Sequence, residues 1–230
     1  MSVALVTGAS RGFGLALANA LADRGWTLVV DARGARALEA AAAGLRRRTD
    51  VLAVAGDVAD PVHRGELLDV VQDLGGLDLL VNNAGILGPS PLPAVADLSP
   101  DALERLMRVN VAAPLALTQV MLPALTASGG ALVNIGSDAG REVYADWGGY
   151  GASKAALAQL TLVLSVERPD LDVYLYDPGD MRTAMHQDAF PGEDISDRPE
   201  PGESVPGLLA LVDGRPPSGA YRFSDLAVLR

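Results

Sequence analysis

The sequence predicts an α/β fold: one domain of 230 residues built on a doubly wound parallel β-sheet flanked by helices on both faces. Three observations lead there. Short apolar runs alternate with longer Ala-rich segments of helical character, and strands joined by crossover helices pair in parallel. The first run enters a glycine-rich turn that opens directly into a helix. The length suits one large α/β domain, and 49% hydrophobic residues supply a sizeable core.

Val3 to Val6 reads as a buried strand. It runs into Thr7-Gly8-Ala9-Ser10-Arg11-Gly12-Phe13-Gly14, after which 15–24 reads as a packed helix. Glycines between a strand and a helix let the backbone turn sharply and approach a pyrophosphate held at the helix N-terminus. They also serve ordinary tight turns, and the spacing is G-x-x-x-G-x-G rather than the commoner G-x-G-x-x-G. The next strand ends in Asp31-Ala32-Arg33, where a dinucleotide fold meets the adenosine ribose. An acid there favours NAD, and an arginine accommodates the 2′-phosphate of NADP. Arg33, with Arg11 as a second cation, favours NADP(H) over NAD(H). Asp31 is the contrary sign, and both arginines also read as solvated surface charges.

Segment 36–48 reads as a helix and 51–55 as a third strand, followed by Asp57-Val58. Asp57 either accepts from an adenine amino group or caps the next turn. A helix over 62–74 and a strand over 77–81 lead to Asn82-Asn83-Ala84-Gly85. Those amides can lock neighbouring loops, and the two small residues let a cofactor lie close.

Ser99-Pro100-Asp101 opens a helix with an N-cap, a first-turn proline and an acid; Asn110 and Pro114 lie in its continuation. An apolar strand over 131–136 delivers Ser137, whose hydroxyl at a strand end could hold a carbonyl oxygen. Tyr150 and Lys154 stand four apart on a helix and share one face. An ammonium that close is expected to pull the phenol below its usual pKa of about 10, as a general acid/base near neutral pH requires. Taken alone, such a pair reads more often as surface decoration. Val143, Tyr144 and Trp147 are candidates for one wall of a substrate pocket, with Met185 and His186 further on. A sixth strand over 172–177 runs into Pro178-Gly179 and Thr183. Segment 184–205 is rich in Asp, Glu, Pro and Gly and reads as a lid loop over the substrate, or as a poorly ordered one.

Together these motifs resemble the classical short-chain dehydrogenase/reductase (SDR) family, with its single-domain Rossmann fold. The shared motifs are Thr7-Gly8-x-x-x-Gly12-x-Gly14, Asp57, Asn82-Asn83-Ala84-Gly85, Asn110, Ser137, Tyr150-x-x-x-Lys154 and Pro178-Gly179-x-x-x-Thr183. They span most of the chain. The resemblance implies that Tyr150 exchanges a proton with a carbonyl or alcohol oxygen, that Ser137 orients that oxygen, and that Lys154 lowers the tyrosine's pKa and bonds the nicotinamide ribose. It implies that Asn110, at a local helix distortion, holds a water linking Lys154 to solvent, and that Thr183 bonds the carboxamide. The implied cofactor-binding set is Gly8, Ser10, Arg11, Gly12, Phe13, Gly14, Arg33, Asp57, Val58, Asn83, Ala84, Gly85, Tyr150, Lys154, Pro178, Gly179 and Thr183. A homodimer through the two long helices is implied as well. The usual glycine-rich C-terminal pattern is missing from Ser218-Gly219-Ala-Tyr221 onward, which weakens the expectation of a homotetramer.

A net charge of −11 argues against nucleic acid or anionic membrane as partners. The absence of cysteine excludes disulfides, thiolate metal sites and a cysteine nucleophile, and His63 and His186 alone make a poor metal site. No apolar run is expected to approach membrane-spanning length, and the first strand begins almost at Met1, leaving no room for a signal peptide. The expectation is a cytoplasmic oxidoreductase moving hydride between a nicotinamide and a small-molecule carbonyl or alcohol. The alternatives are the same chemistry with NAD(H), or a catalytically idle dinucleotide-binding redox sensor.

Overall fold

The computed structural model describes residues 2–226. Among them seven strands form one sheet: β1 (Val3–Val6), β2 (Thr27–Ala32), β3 (Val51–Ala55), β4 (Leu79–Asn82), β5 (Ala131–Ile135), β6 (Asp172–Asp177) and β7 (Gly219–Arg222). Their order is β3-β2-β1-β4-β5-β6-β7, and every neighbouring pair is parallel. The order reverses between β1 and β4, and a sheet of this kind opens its crevice at the carboxyl ends of the strands there.

Alternation along the strands sorts side chains onto two faces. Ala4, Val6, Leu28, Val30, Tyr174 and Tyr176 meet the helices α1 (Gly12–Asp23) and α2 (Ala35–Leu45) on one side. Val3, Leu5, Val29, Leu80 and Val173 meet α3 (Pro61–Asp73) on the other. Both faces are dry, which explains why the strands read as unbroken apolar runs rather than alternating ones.

Segment Pro100–Ser128 is one continuous helix in three parts: α4 (Pro100–Met107), a widened turn over Arg108–Ala112 and α5 (Ala113–Ser128). The Ser99 hydroxyl caps it, accepting from the Ala102 amide at 3.2 Å. In the widened turn the Ala113 amide bonds the Arg108 carbonyl five residues back. Pro114 is the physical reason: it has no amide to offer the carbonyl of Asn110, so the regular ladder cannot continue through that point. By length and composition this helix is apolar enough to cross a membrane, which corrects the expectation that no such run exists. Leu117, Met121 and Leu125 of α5 are buried against the sheet.

The second half completes the layers with α6 (Gly148–Glu167), α7 (Ala184–Ala189), α8 (Val205–Gly214) and the short α9 (Phe223–Leu226). Segment 184–205 is thus helical at its two ends, with 190–200 running between them in turns and irregular backbone. Thr183 caps α7 by accepting from the His186 amide at 3.2 Å. The Tyr176 hydroxyl donates to the Ser204 carbonyl at 2.6 Å, and Ser204 Oγ donates to the Pro178 carbonyl at 2.7 Å. Helix α8 escaped the sequence reading, although Leu208 and Leu211 bury against the α1 side of the core. The helix expected over 36–48 ends at Leu45, where Arg46 and Arg48 leave to pair with Glu39 and Asp23.

A buried polar ladder crosses the middle of the sheet. Asn82 Nδ2 donates to Asn134 Oδ1 at 2.8 Å and to Thr118 Oγ1 at 3.0 Å, and Asn134 Nδ2 donates to Thr161 Oγ1 at 2.8 Å. It ties β4 and β5 to α5 and α6. Replacing Asn82 with Ala strands the Asn134 carbonyl in a dry interior, so Asn82→Ala should cost about 1–3 kcal/mol in urea unfolding. An unchanged midpoint would show that the ladder contributes nothing.

Candidate active site

A cavity of about 930 Å³ runs along the carboxyl ends of the strands. Of the site residues read from the sequence, all line it except Gly14, Asn110, Val143 and Tyr144.

At one end stands the glycine turn between β1 and α1. Asn83 clamps it: its Nδ2 donates to the Thr7 and Gly8 carbonyls at 2.8 and 3.3 Å. In return Thr7 Oγ1 accepts from the Asn83 and Ala84 amides at 3.0 and 2.9 Å. The same packing requires glycine at position 14, where a β-carbon would overlap the Asn83 amide and lie 2.6 Å from the Gly8 carbonyl. Arg11 and Arg33 are exposed on the cavity rim. Asp57 acts as the cap of its own turn, accepting from the Ala59 amide at 2.9 Å. Asp31, the contrary sign in the sequence, is buried against His63.

At the other end Ser137, Tyr150 and Lys154 converge. Ser137 follows β5, and its Oγ accepts from the Ala139 amide at 3.2 Å. Helix α6 starts hard against this turn. A β-carbon at Gly151 would sit 2.5 Å from the Ala139 carbonyl, so only glycine lets α6 bring Tyr150 beside Ser137. Lys154, one turn further, is buried with its amine 5.6 Å from the Tyr150 ring centroid and 2.8 Å from the Ile135 carbonyl, to which it donates. Asn110 lies beneath, in the widened turn. Its Oδ1 accepts from the Ile86 amide at 2.8 Å, while its Nδ2 donates to the Ile86 carbonyl at 2.9 Å and to Ser153 Oγ at 3.0 Å.

A family model for short chain dehydrogenases matches residues 2–194. The chain belongs to the short-chain dehydrogenase family. It is similar to the uncharacterized oxidoreductase YciK of Escherichia coli, with 33% identity over 91% of this chain and 85% of that one. Among solved structures, a short-chain dehydrogenase from Pseudomonas syringae superposes with a TM-score of 0.91 at 31% identity, covering 96% of this chain and 94% of that one. Another from Shigella flexneri, solved in complex with NADP, superposes at 0.89 with 31% identity and 97% of each chain covered. This short-chain dehydrogenase is accordingly an NAD(P)-dependent oxidoreductase acting on alcohol or carbonyl groups.

Three readings of the dehydrogenase's substrate end need correction. Tyr144 lies outside the cavity wall: its hydroxyl donates to Asp138 and Glu142 at 3.0 and 3.1 Å, and the Asp138 bond is the main reason its phenol is pushed up to about 12. Val143 is 98% exposed and contributes no wall. The expected lowering of the Tyr150 phenol does not occur in the protein alone. Burial raises it, opposed by a hydrogen bond with Ser137 and reinforced by Asp177 and Asp138. The lysine amine turns to the Ile135 carbonyl, and burial lowers its own pKa to about 8. Trp147 and Met185 do line the cavity.

Two further residues were missed, Asp177 on the cavity wall and Phe190 behind it. Phe190 backs Trp147, with ring centroids 5.9 Å apart. Asp177 ends β6 as a buried carboxylate that accepts from Arg141 at 2.9 Å and from the Gly179 amide at 3.1 Å. Its position directly before Pro178-Gly179 was the available signal. Asp177 favours the charged form of Lys154, so removing it should depress that lysine further. If turnover needs the ammonium, kcat/KM should fall as pH rises through about 8, and Asp177→Asn should move that limb to lower pH. A limb that stays in place would separate it from Lys154.

Proposed function

We propose that this protein is an NADP(H)-dependent reductase of neutral carbonyl compounds in which Tyr150 is the proton donor. One observation carries the proposal: two hydroxyls and an amine, from Ser137, Tyr150 and Lys154, meet at one end of a cavity whose other rim carries Arg11 and Arg33. The residues fit a phosphorylated dinucleotide. The arginines suit a 2′-phosphate better than a ribose hydroxyl, the Asn83 clamp keeps the glycine turn open for a pyrophosphate, and the volume suits a large ligand. The NADP complex of the Shigella relative supports the same choice.

When bound, the reduced nicotinamide supplies the hydride. The chain supplies the proton and the geometry. Ser137 holds the carbonyl oxygen and stabilises the charge that develops on it, and Tyr150 donates its phenolic proton to that oxygen. A phenol kept protonated by burial is the form that donates during carbonyl reduction, and the same group accepts the proton when the reaction runs from the alcohol. As the phenolate forms, the neighbouring Lys154 ammonium stabilises it. Asn110 keeps the 86 loop and Ser153 of α6 in register beneath the lysine.

The substrate end is lined by Leu87, Trp147 and Met185. Its carboxylates outnumber its available cations. Asp138 is at the wall, while Arg141 is held by Asp177, Arg182 by Glu200 and Arg198 by Asp197. An anionic substrate would have to compete with carboxylates already paired to these arginines. An idle redox sensor is the competing reading, and it leaves a buried lysine and tyrosine on the cavity wall without a task.

Fluorescence titration should give a lower Kd for NADPH than for NADH, and a carbonyl panel should favour aryl or alkyl ketones and aldehydes over keto acids by at least about tenfold in kcat/KM. Tyr150→Phe should bind NADPH within about twofold of wild type and lose at least about 10²-fold in kcat. Normal turnover by that variant would overturn the assignment of the proton donor. Wild type inert toward the whole panel would favour the sensor.

A further inference from the structure

The buried pair Asp31–His63 takes no part in the chemistry above. Asp31 is the penultimate residue of β2 and 1% exposed; His63, in the first turn of α3, is 4% exposed. Its Nε2 lies 3.4 Å from Asp31 Oδ2, and its Nδ1 lies 3.2 Å from Oε2 of the exposed Glu66. The imidazole also packs flat on Gly56, where a β-carbon would overlap the ring. The pair therefore joins the carboxyl ends of β2 and β3. Asp31 and Arg33 from the first, and Gly56 and Asp57 from the second, line the same end of the cavity.

A buried carboxylate at this place, left alone, would oppose any dianion drawn to Arg11 and Arg33. Building on the NADP(H) reading, we infer that His63 is a specificity-determining residue: its imidazolium cancels the Asp31 charge, so that this strand end accepts a 2′-phosphate despite carrying an acid. The electrostatics agree. The hydrogen bond to Asp31 is the largest influence on His63 and raises its pKa against the effect of burial, and Glu66 on its own helix adds to the rise. Burial raises Asp31, His63 opposes that, and Asp57 and Arg33 act on Asp31 in opposite senses. The folded pKa of His63 thus lies above its ordinary 6.5. The cancellation is complete below that ordinary value and is lost as pH rises through the raised one.

The test measures Kd for NADPH and NADH by fluorescence with wild type, His63→Gln, Asp31→Asn and the double variant, each checked by thermal melting. His63→Gln should raise the NADPH Kd at least about fivefold while leaving NADH within about twofold. The double variant should restore NADPH. The wild-type ratio of the two Kd values should shift against NADPH as pH rises above the ordinary 6.5 of His63, a range in which the phosphate is already mostly a dianion because its second pKa is about 6. Lys154 titrates in that window too, but it faces the part both cofactors share, so the ratio isolates His63. Equal weakening of both cofactors by His63→Gln, or no change, would reduce the pair to a structural one and overturn the inference. If His63→Gln does not fold, Asp31→Asn decides: without its main partner His63 titrates lower, so the shift of the ratio must move to lower pH, and a shift that stays in place overturns the inference. Tighter binding of NADH by wild type would instead overturn the NADP(H) reading, leaving the ratio test of His63 intact.

Discussion

The cavity depends on a seam. β1 and β4 lie side by side, and the loops that leave their carboxyl ends must part to admit a ligand without fraying. One side chain manages this. Asn83 spends its amide on the Thr7 and Gly8 carbonyls, while Thr7 returns its hydroxyl to two backbone amides of the 83–84 turn. Each otherwise orphaned backbone group is met within the seam, so the glycine turn is held from below and its upper surface stays free. The glycine at position 14 follows from the same clamp, because nothing larger fits beneath it.

The reacting end rests on a conflict between two desolvated groups. Burial disfavours a phenolate at Tyr150 and an ammonium at Lys154 alike. The protein moderates both: the Ser137 hydroxyl beside the phenol eases the tyrosine's ionisation, and the Asp177 carboxylate favours the lysine's charge. Arg141 in turn keeps Asp177 from standing alone. Under the proposed mechanism, a proton that leaves Tyr150 does so into a charge arrangement already in place, which is how a preorganised site differs from water.

The fold was legible because its signals are local. Dry strands read as apolar runs, Ser99-Pro100 as a helix start, and a strand followed by glycines as a turn into a helix. Tyr150, Lys154 and Ser137 were legible for the same reason. What stayed hidden depends on direction and partners. Spacing placed an ammonium near a phenol but could not tell that the amine would turn to the Ile135 carbonyl. Asp177 read as one more strand residue, and Asp31 as an argument for NAD, until their partners Arg141 and His63 were seen. The helical ends of segment 184–205 stayed hidden because one is a short helix capped by Thr183 and the other is tied down by Ser204 bonding the Pro178 carbonyl, far away in sequence.

The widened turn at Arg108–Ala112 also sets the phase of the long helix. Upstream, Leu106 packs beside Leu87 and Tyr150 at the reacting end; downstream, Leu117 and Met121 seat in the sheet. A helix advances about 100° per residue, so the surplus residue in that turn rotates one half relative to the other and lets a single rod serve both neighbours. Deleting one residue there would turn the apolar stripe of α5 by about 100° away from the strands, so in this short stretch chain length is constrained as well as residue type.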